Sequence, residues 1–320
     1  MDERLRAICL TCGVFLRSEA MALGYDDRTI AQAVRTRQWH RVRRGAYTFA
    51  DVWASADDRM RHGIRARAVT RAAKTDVVLS HTTAALEHVP TYWGIDLSDV
   101  HVTRLDGRAG RAEAGVRQHR GLVLPEDVWL TTSPPTTTPV RAALELTTVA
   151  GTEQALVTVN AMLHAGLFTA EDLRERYDAM TYWPYTLATD LVIRLADARM
   201  ESAGETRTAY ALWREGVPTP DPQYELFDDY GRLMARLDFA WPELGVWVEF
   251  DGREKYTRYL KEGETVTDAV LREKRREERI RERTGWICVR VTWAELADPR
   301  RLAARVRAAF ASQQASRVAF

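Results

Sequence analysis

The stretch LMARLDFAWPELGVWVEFDG, residues 233–252, decides the fold of the second half of this chain. Two runs rich in apolar and aromatic residues flank the segment 241–245, which contains Pro242 and Gly245. Apolar runs interrupted by Pro and Gly are typical of two strands joined by a turn. The stretch therefore predicts a pair of neighbouring strands in one sheet.

The segments around this pair predict an ordered series of elements. A helix predicted over 187–214 ends at Gly216, with two prolines beyond it. The predicted elements that follow are strands at 222–227, 232–240 and 245–250, a charged helix at 267–283, and a buried strand at 286–291. The predicted order is thus helix, three strands, helix, strand.

Carboxylates recur at the predicted strand pair. Alternation along the second strand puts Trp247, Glu249 and Asp251 on one face, which we expect to be acidic, while the apolar residues between them form the core face. Asp238 should point away from both of its apolar neighbours, and strand pairing would bring it near Glu249. Hard oxygen ligands suit Mg²⁺ or Mn²⁺, which polarise a phosphodiester and generate an attacking hydroxide. The pattern predicts metal-dependent phosphodiester hydrolysis.

The strings 236–239 (RLDF), 248–256 (VEFDGREKY) and 273–277 (EKRRE) resemble the restriction-endonuclease-like PD-(D/E)xK superfamily, in its very-short-patch-repair-like branch. The resemblance covers about residues 187–310 and implies an αβββαβ core. It implies that Glu205, Asp238 and Glu249 are the ligands of Mg²⁺ or Mn²⁺. The superfamily motif has Lys two residues after the second strand acid, where this chain has Asp251, so Lys255 or Lys274 would supply the positive charge. The catalytic candidates are Glu205, Asp238, Glu249, Asp251, Lys255 and Lys274.

Positive charge is concentrated near the N-terminus, although the net charge of the whole chain is only +1. Two short helices are predicted at 3–12 and 17–23, followed by a third that Asp26 or Asp27 caps, with Ile30 and Val34 facing inward. The segment 39–47 predicts a hairpin, which we interpret as a wing. Together they predict a winged helix that places a helix in the major groove and a wing on phosphate. The candidate DNA-binding residues are Arg28, Arg35, Arg37, Arg41, Arg43 and Arg44. A three-helix unit with surface arginines can also serve as a protein-interaction module.

The strings 15–20 (FLRSEA), 41–47 (RVRRGAY) and 79–84 (LSHTTA) resemble the AbiEi-type antitoxin family of type IV toxin–antitoxin systems. The resemblance covers about residues 1–165. It implies a winged helix that represses its own operon and a cognate toxin as partner.

The middle of the chain predicts a small α+β domain, in which we recognise no catalytic or binding motif. We expect His81, at the start of a helix, to be structural, since no acid or cysteine lies at nucleophile spacing. Apolar stretches are too short to cross a bilayer, the N-terminus lacks a secretory pattern, and three cysteines make no even disulfide framework. These features favour a cytoplasmic protein without a membrane partner.

The sequence therefore predicts an α/β multidomain protein. Its predicted parts are a winged helix at 1–50, an α+β domain at 51–185 and an endonuclease-like domain at 186–320. The leading functional hypothesis is a protein that binds double-stranded DNA and hydrolyses phosphodiesters with Mg²⁺ or Mn²⁺, for instance in phage defence. The alternative is an antitoxin-like transcriptional autorepressor whose nuclease-like domain is inactive. The oligomeric state stays open.

Overall fold

The chain divides, in the computed structural model, into two compact units, Met1–Ala196 and Asp197–Phe320. The structure describes residues 3–108, 112–113, 115–130, 132–180, 183, 186–252 and 265–318. The mixture of helices and sheets in both units confirms the α/β multidomain class. Within the described ranges, no helix combines the length and apolar content that crossing a membrane requires. The finer division at residues 50 and 185, and the family-like identity of each part, stay predictions.

The first unit begins with three helices and a hairpin. In chain order these elements are α1 (Glu3–Cys12), β1 (Phe15–Leu16), α2 (Arg17–Ala22), α3 (Asp27–Arg35), β2 (Trp39–Arg43) and β3 (Ala46–Phe49). The strands form a sheet of order β1-β3-β2. As expected, Asp26 caps α3, accepting a 2.7 Å hydrogen bond from the Thr29 N–H. Ile30 is buried, and Val34 is partly buried against the same core.

This N-terminal sheet shares its core with the helices that follow, α4 (Ala50–Ser55) and α5 (Asp58–Arg71). Val14 and Ala46 pack in one buried cluster with Ile64 and Ala68 of α5. Arg71, at the end of α5, donates hydrogen bonds to the Val14 carbonyl and to the Glu19 carboxylate. The first 50 residues therefore depend on α5 for part of their core.

The rest of the first unit is built on a six-stranded sheet. Its elements are β4 (Val77–Leu79), α6 (His81–His88), β5 (Val100–Arg104), β6 (Ala112–Glu113), β7 (Val116–His119), β8 (Val128–Trp129), β9 (Thr136–Thr137), α7 (Pro139–Thr147), α8 (Thr152–His164), α9 (Ala170–Asp178) and α10 (Leu187–Leu195). The strand order is β6-β7-β5-β4-β9-β8, with β5–β7 and β4–β9 parallel. Val100, Val102 and Val116 belong to one buried cluster. Strand alternation then sends His101 and His119 to the opposite face.

The second unit contains the predicted series of elements. They are α11 (Ala203–Arg214), β10 (Asp221–Phe227), β11 (Leu233–Trp241), β12 (Val246–Phe250), α12 (Val266–Thr284), β13 (Ile287–Val291) and α13 (Pro299–Val318). The order helix, three strands, helix, strand is confirmed. The single helix expected over 187–214 is wrong: α10 ends before Ala196, whose backbone is extended, and Ser202 starts α11 as an N-cap, accepting a 3.1 Å hydrogen bond from the Glu205 N–H.

In the second sheet, of order β10-β11-β12-β13, strand β12 is buried on both faces. Val248 and Phe250 pack in a cluster that contains residues of α11 and α13, whereas Trp247 packs with Ile280 of α12. The predicted acidic face of β12 is therefore wrong in part, since Trp247 is only 1% exposed. A strand covered by helices on both sides buries both sets of alternating side chains.

Strand β11 changes the face that it presents at Asp238. Leu237 belongs to the cluster of Trp247, and Phe239 to the cluster of Val248, so the prediction that Leu237 and Phe239 share a face is wrong. Gln223 of β10 lies across from Asp238 and has a left-handed backbone with φ of 54°. This local irregularity in the β10–β11 ladder accompanies the change of face, and Asp238 belongs to neither of the two apolar clusters.

Gly204, in the first turn of α11, lies directly on the Phe250 ring. A Cβ built there would be 2.0 Å from Phe250 Cε1. We expect Gly204→Ala to lower the free energy of unfolding by about 1–3 kcal/mol, because an aromatic ring in a packed core has little room to move. Gly121→Ala is the matched control, since its nearest atom would be 3.8 Å away. Denaturant titrations of both variants test this, and equal stabilities would contradict the close packing.

Candidate functional site

Glu205 is held in the first turn of α11 by hydrogen bonds on both carboxylate oxygens. Oε1 accepts one from Ser202 Oγ at 2.7 Å, and Oε2 accepts others from the Glu201 N–H and Gln223 Nε2, each at 2.9 Å. The side chain is 3% exposed. Because Gln223 lies opposite Asp238, the bond to Gln223 ties Glu205 to the point where β11 changes face.

Asp238 and Glu249 lie on neighbouring strands at the same point. The Phe250 N–H donates a 2.7 Å hydrogen bond to Asp238 Oδ2. The β11–β12 pairing reaches Phe239 and Val248, the residues next to Asp238 and Glu249, and the approach of the two carboxylates to one another stays a prediction. Both acids are buried. We call Glu205, Asp238 and Glu249 the acidic corner.

Arg276 of α12 is a cation at this corner that the sequence did not indicate. Its guanidinium donates two 3.2 Å hydrogen bonds to Glu249 Oε1, one of 2.9 Å to Glu273 and one of 2.6 Å to the Arg236 carbonyl. Burial opposes the charge of Arg276, but attraction to Glu249 and Glu273 outweighs burial and raises its pKa. Arg276 therefore stays protonated and fixes the orientation of Glu249.

The remaining catalytic candidates lie apart from this contact. Asp251 donates its N–H to the Val291 carbonyl, and its carboxylate lies 3.8 Å from Arg290 Nη1. Arg290 also contacts Glu277 of α12 at 2.9 Å. Lys274 is exposed on α12, off the face that carries Arg276. Lys255 lies outside the described residues.

The candidate DNA-binding arginines form an exposed set in the first unit. Arg28 and Arg35 lie on the outer side of α3, Arg37 follows it with a left-handed backbone (φ 55°), and Arg41 and Arg44 lie in the hairpin. Arg43 is half-buried and pairs with Glu113 at 3.6 Å. Within the described residues it is the one member of the six that forms an ion pair. The other five are available to a ligand.

Three histidines, His81, His101 and His119, come together on the six-stranded sheet. Each offers a nitrogen within 4.8 Å of the nitrogens of the other two, and among the described residues this is the one group of three possible metal ligands that close together. The three carboxylates of the acidic corner do not form a group of this kind. Each accepts hydrogen bonds from different donors. We call the three histidines the histidine cluster.

The histidine cluster is tightly packed and uncharged. His119 Nε2 lies 3.0 Å from His101 Nδ1, and the rings of His81 and His119 stack at 3.5 Å. Burial, reinforced by nearby cations and by the other rings, holds the pKa of His81 well below its ordinary value. It lowers the pKa of His101 to about 4 and that of His119 to about 3. All three imidazoles are neutral at physiological pH.

A buried charge network lies beside His81. The His81 N–H donates a 3.0 Å hydrogen bond to Glu145 Oε2, and Arg141 pairs with Glu145 at 2.8 Å and with Asp127. His81 has a φ of 51°, a backbone conformation that costs a non-glycine residue about 1–3 kcal/mol. The bond to Glu145 holds His81 in this conformation. The prediction that His81 is only structural did not anticipate its two histidine neighbours.

Comparisons with known proteins give little functional information. Two uncharacterized proteins of Mycobacterium tuberculosis, from strain CDC 1551 / Oshkosh and strain ATCC 25618 / H37Rv, are each 27% identical to this chain over 171 residues. The match covers 53% of this chain and 59% of each relative. No family model and no solved structure matches the chain.

The contacts of Arg276 and the exposure of Lys274 predict different losses of stability when each side chain is removed. Arg276→Ala should lower the free energy of unfolding by about 1–3 kcal/mol, because it leaves the buried Glu249 carboxylate without this cation. Lys274→Ala, at an exposed position of the same helix, should change it by no more than about 0.5 kcal/mol. Urea denaturation measures both. Equal effects would contradict the role given to Arg276.

Proposed function

We propose that this protein binds double-stranded DNA through its N-terminal arginines and hydrolyses a phosphodiester bond at the acidic corner with Mg²⁺ or Mn²⁺. The observation that carries the proposal is the burial of three carboxylates, Glu205, Asp238 and Glu249, each less than 10% exposed, on α11 and on the neighbouring strands β11 and β12. Burying charged carboxylates is costly. A protein that gathers three of them there has a use for the negative charge.

The donor set suits a hard divalent cation. Carboxylate oxygens are the ligands that Mg²⁺ and Mn²⁺ take, and Glu205, Asp238 and Glu249 would hold the ion. The Ser202 hydroxyl, the Gln223 amide and the Phe250 N–H satisfy hydrogen bonds without cancelling the charge of a carboxylate. When bound, such an ion polarises a phosphoryl oxygen and lowers the pKa of a bound water.

Arg276 and the backbone perform the supporting roles. Arg276 orients Glu249 and brings a fixed positive charge to the corner, in a chain that has Asp251 where the superfamily motif has Lys. The Phe250 N–H orients Asp238, and the Ser202 cap orients Glu205. Each carboxylate is thus held by a neighbour before any ligand arrives, which reduces the reorganisation that catalysis requires.

The first unit supports DNA binding by the arrangement of α3 and its hairpin. Ile30 anchors the inner side of α3, leaving Arg28 and Arg35 outward, and the β2–β3 hairpin presents Arg41 and Arg44. A helix of this kind reads the groove while a basic hairpin contacts phosphate. This layout supports the proposal that the segment acts as a winged helix.

A second candidate function is DNA binding without cleavage, as in an antitoxin-like autorepressor with a toxin partner. The observation that favours it is the Arg276–Glu249 ion pair, which engages one of the carboxylates intended for the metal. Asp251 at the position of the motif lysine points in the same direction. The two functions differ in one measurable property, cleavage.

DNA binding by the arginines predicts a dependence on salt. The double variant Arg41→Gln/Arg44→Gln of the full chain should bind duplex DNA more weakly, and the slope of log K against log salt should fall by about two units at most, since each lost phosphate contact releases one fewer counterion. Arg300→Gln/Arg301→Gln removes the same charge from the exposed surface of α13 and should leave the slope unchanged. Gel retardation over a salt series measures this. Equal slopes in both variants would contradict the assignment of Arg41 and Arg44 as phosphate contacts.

Cleavage is tested by nicking of supercoiled plasmid in the presence and absence of Mg²⁺ or Mn²⁺. Glu249→Gln should reduce metal-dependent nicking by at least about 10²-fold, because the variant loses a charged ligand. Glu243→Gln, an exposed glutamate in the turn before β12, is the matched control. If the wild type binds DNA but neither nicks it nor binds either ion by calorimetry, the autorepressor function replaces the nuclease.

A further inference from the structure

We propose that the histidine cluster binds one transition-metal ion of the Zn²⁺ class, with His81, His101 and His119 as ligands. This site lies in the first unit and does not depend on the proposed nuclease activity. Three imidazoles without a thiolate are a ligand set for Zn²⁺ and for other nitrogen-preferring divalent ions, whereas Mg²⁺ prefers oxygen ligands. The site is therefore chemically distinct from the acidic corner.

The distances require only small movements for two of the ligands. His119 Nε2 and His101 Nδ1 are 3.0 Å apart, whereas two nitrogens bound to one tetrahedral zinc ion at about 2.0 Å lie about 3.3 Å apart. The ion would replace the proton that these nitrogens share. His81 must turn out of its stack on His119 to aim a nitrogen at the ion, starting from within 4.8 Å.

Neighbouring hydroxyl groups hold the ligands in place. Ser80 Oγ lies 3.0 Å from His81 Nδ1 and accepts a 2.9 Å hydrogen bond from Thr103. When Nδ1 of His81 donates to Ser80, Nε2 is left as the ligand atom. Thr83 Oγ1 accepts a 2.8 Å hydrogen bond from the backbone N–H of His101 and so holds the main chain of that ligand. A contact such as that of Ser80 with the His81 ring orients a metal-binding histidine and fixes its tautomer.

The surrounding charges are balanced. Arg117 and Arg141 lie close enough to lower the pKa of His81, and both would repel a cation. Arg141, however, is paired with Asp127 and Glu145, and Glu145 Oε2 lies 3.8 Å from His81 Nδ1. The carboxylate of Glu145 thus faces the cluster as a counter-charge for a bound ion.

A cavity next to the cluster provides room for a fourth ligand. Its volume is about 260 Å³, and its lining includes His101, Thr82, Asp96 and Arg117. Three protein ligands leave one tetrahedral position open, as in zinc sites that bind water or a substrate. The position next to His101 in this cavity is where we place that ligand.

Zinc binding is tested on the full chain after treatment with a chelator. Calorimetric titration with ZnCl₂ should show one equivalent bound, and His101→Gln and His119→Gln should each weaken binding by at least about 100-fold. His164→Gln, at an exposed position of α8, should bind like the wild type. Excess Mg²⁺ should not compete, and Glu249→Gln should retain full Zn²⁺ affinity. Absence of Zn²⁺ binding to the wild type, or equal binding by His119→Gln, would overturn the proposal.

A second measurement holds even where a histidine variant fails to fold. In wild-type protein carrying ¹⁵N-labelled histidine, Zn²⁺ should shift the ring-nitrogen resonances of three of the seven histidines and leave the other four in place. Shifts spread over other histidines would assign the ion to the surface. Loss of Zn²⁺ binding in Glu249→Gln would assign it to the acidic corner instead.

Discussion

Covering β12 on both faces is the constraint on which the second unit depends. Residues of α11 and α13 pack on one side of this strand and Ile280 of α12 packs on the other, so a charged side chain beside it has no open face on which to lie. Asp238 is accommodated because β11 changes face at that residue. Its carboxylate meets the Phe250 N–H of the adjacent strand at 2.7 Å. This hydrogen bond between strands stabilises a buried carboxylate that would be costly to place in either apolar layer.

The same constraint explains why the acids gather where they do. Glu205 reaches this point from the start of α11, where the absence of a side chain at Gly204 lets the helix approach Phe250. Glu249 reaches it from β12, where Arg276 offsets its charge. Helix packing, strand pairing and charge balance each contribute to holding these buried carboxylates.

The features that could be predicted from the sequence are those set by residues close together in the chain. The cap at Asp26, the turn before Gly245 and the order of elements in the second unit each depend on residues within one element or between neighbours. The break between α10 and α11 was also legible locally, because Ser202 is a good N-cap three residues before Glu205. It was missed because apolar periodicity continues across the gap.

The features that the sequence did not predict depend on residues that are far apart in the chain. The change of face at Asp238 involves Gln223, on another strand, and alternation within β11 alone does not reveal it. Arg276 rather than Lys274 reaches Glu249 because the rotation of α12 about its axis is set by packing. The histidine cluster follows from the parallel pairing of β5 with β7, which no local pattern encodes.

The two groups of candidate ligands differ in the chemistry that they offer. The acidic corner supplies oxygen donors in an anionic setting, and the histidine cluster supplies neutral nitrogen donors beside a balanced charge network. Ligand type separates hard from softer divalent ions more reliably than affinity does. A cell that contains both kinds of ion could therefore supply each site without exchange between them.

Helix α5 has a consequence for how the basic N-terminal segment can be inherited or moved. Ile64 and Ala68 on one part of α5 complete the core under β1 and β3, and His62 on the same helix bonds to Thr83 of α6. The basic N-terminal segment is thus not a detachable module. Transplanting it into another protein, by recombination or by design, requires carrying α5, and α5 in turn carries a side chain that already bonds to α6.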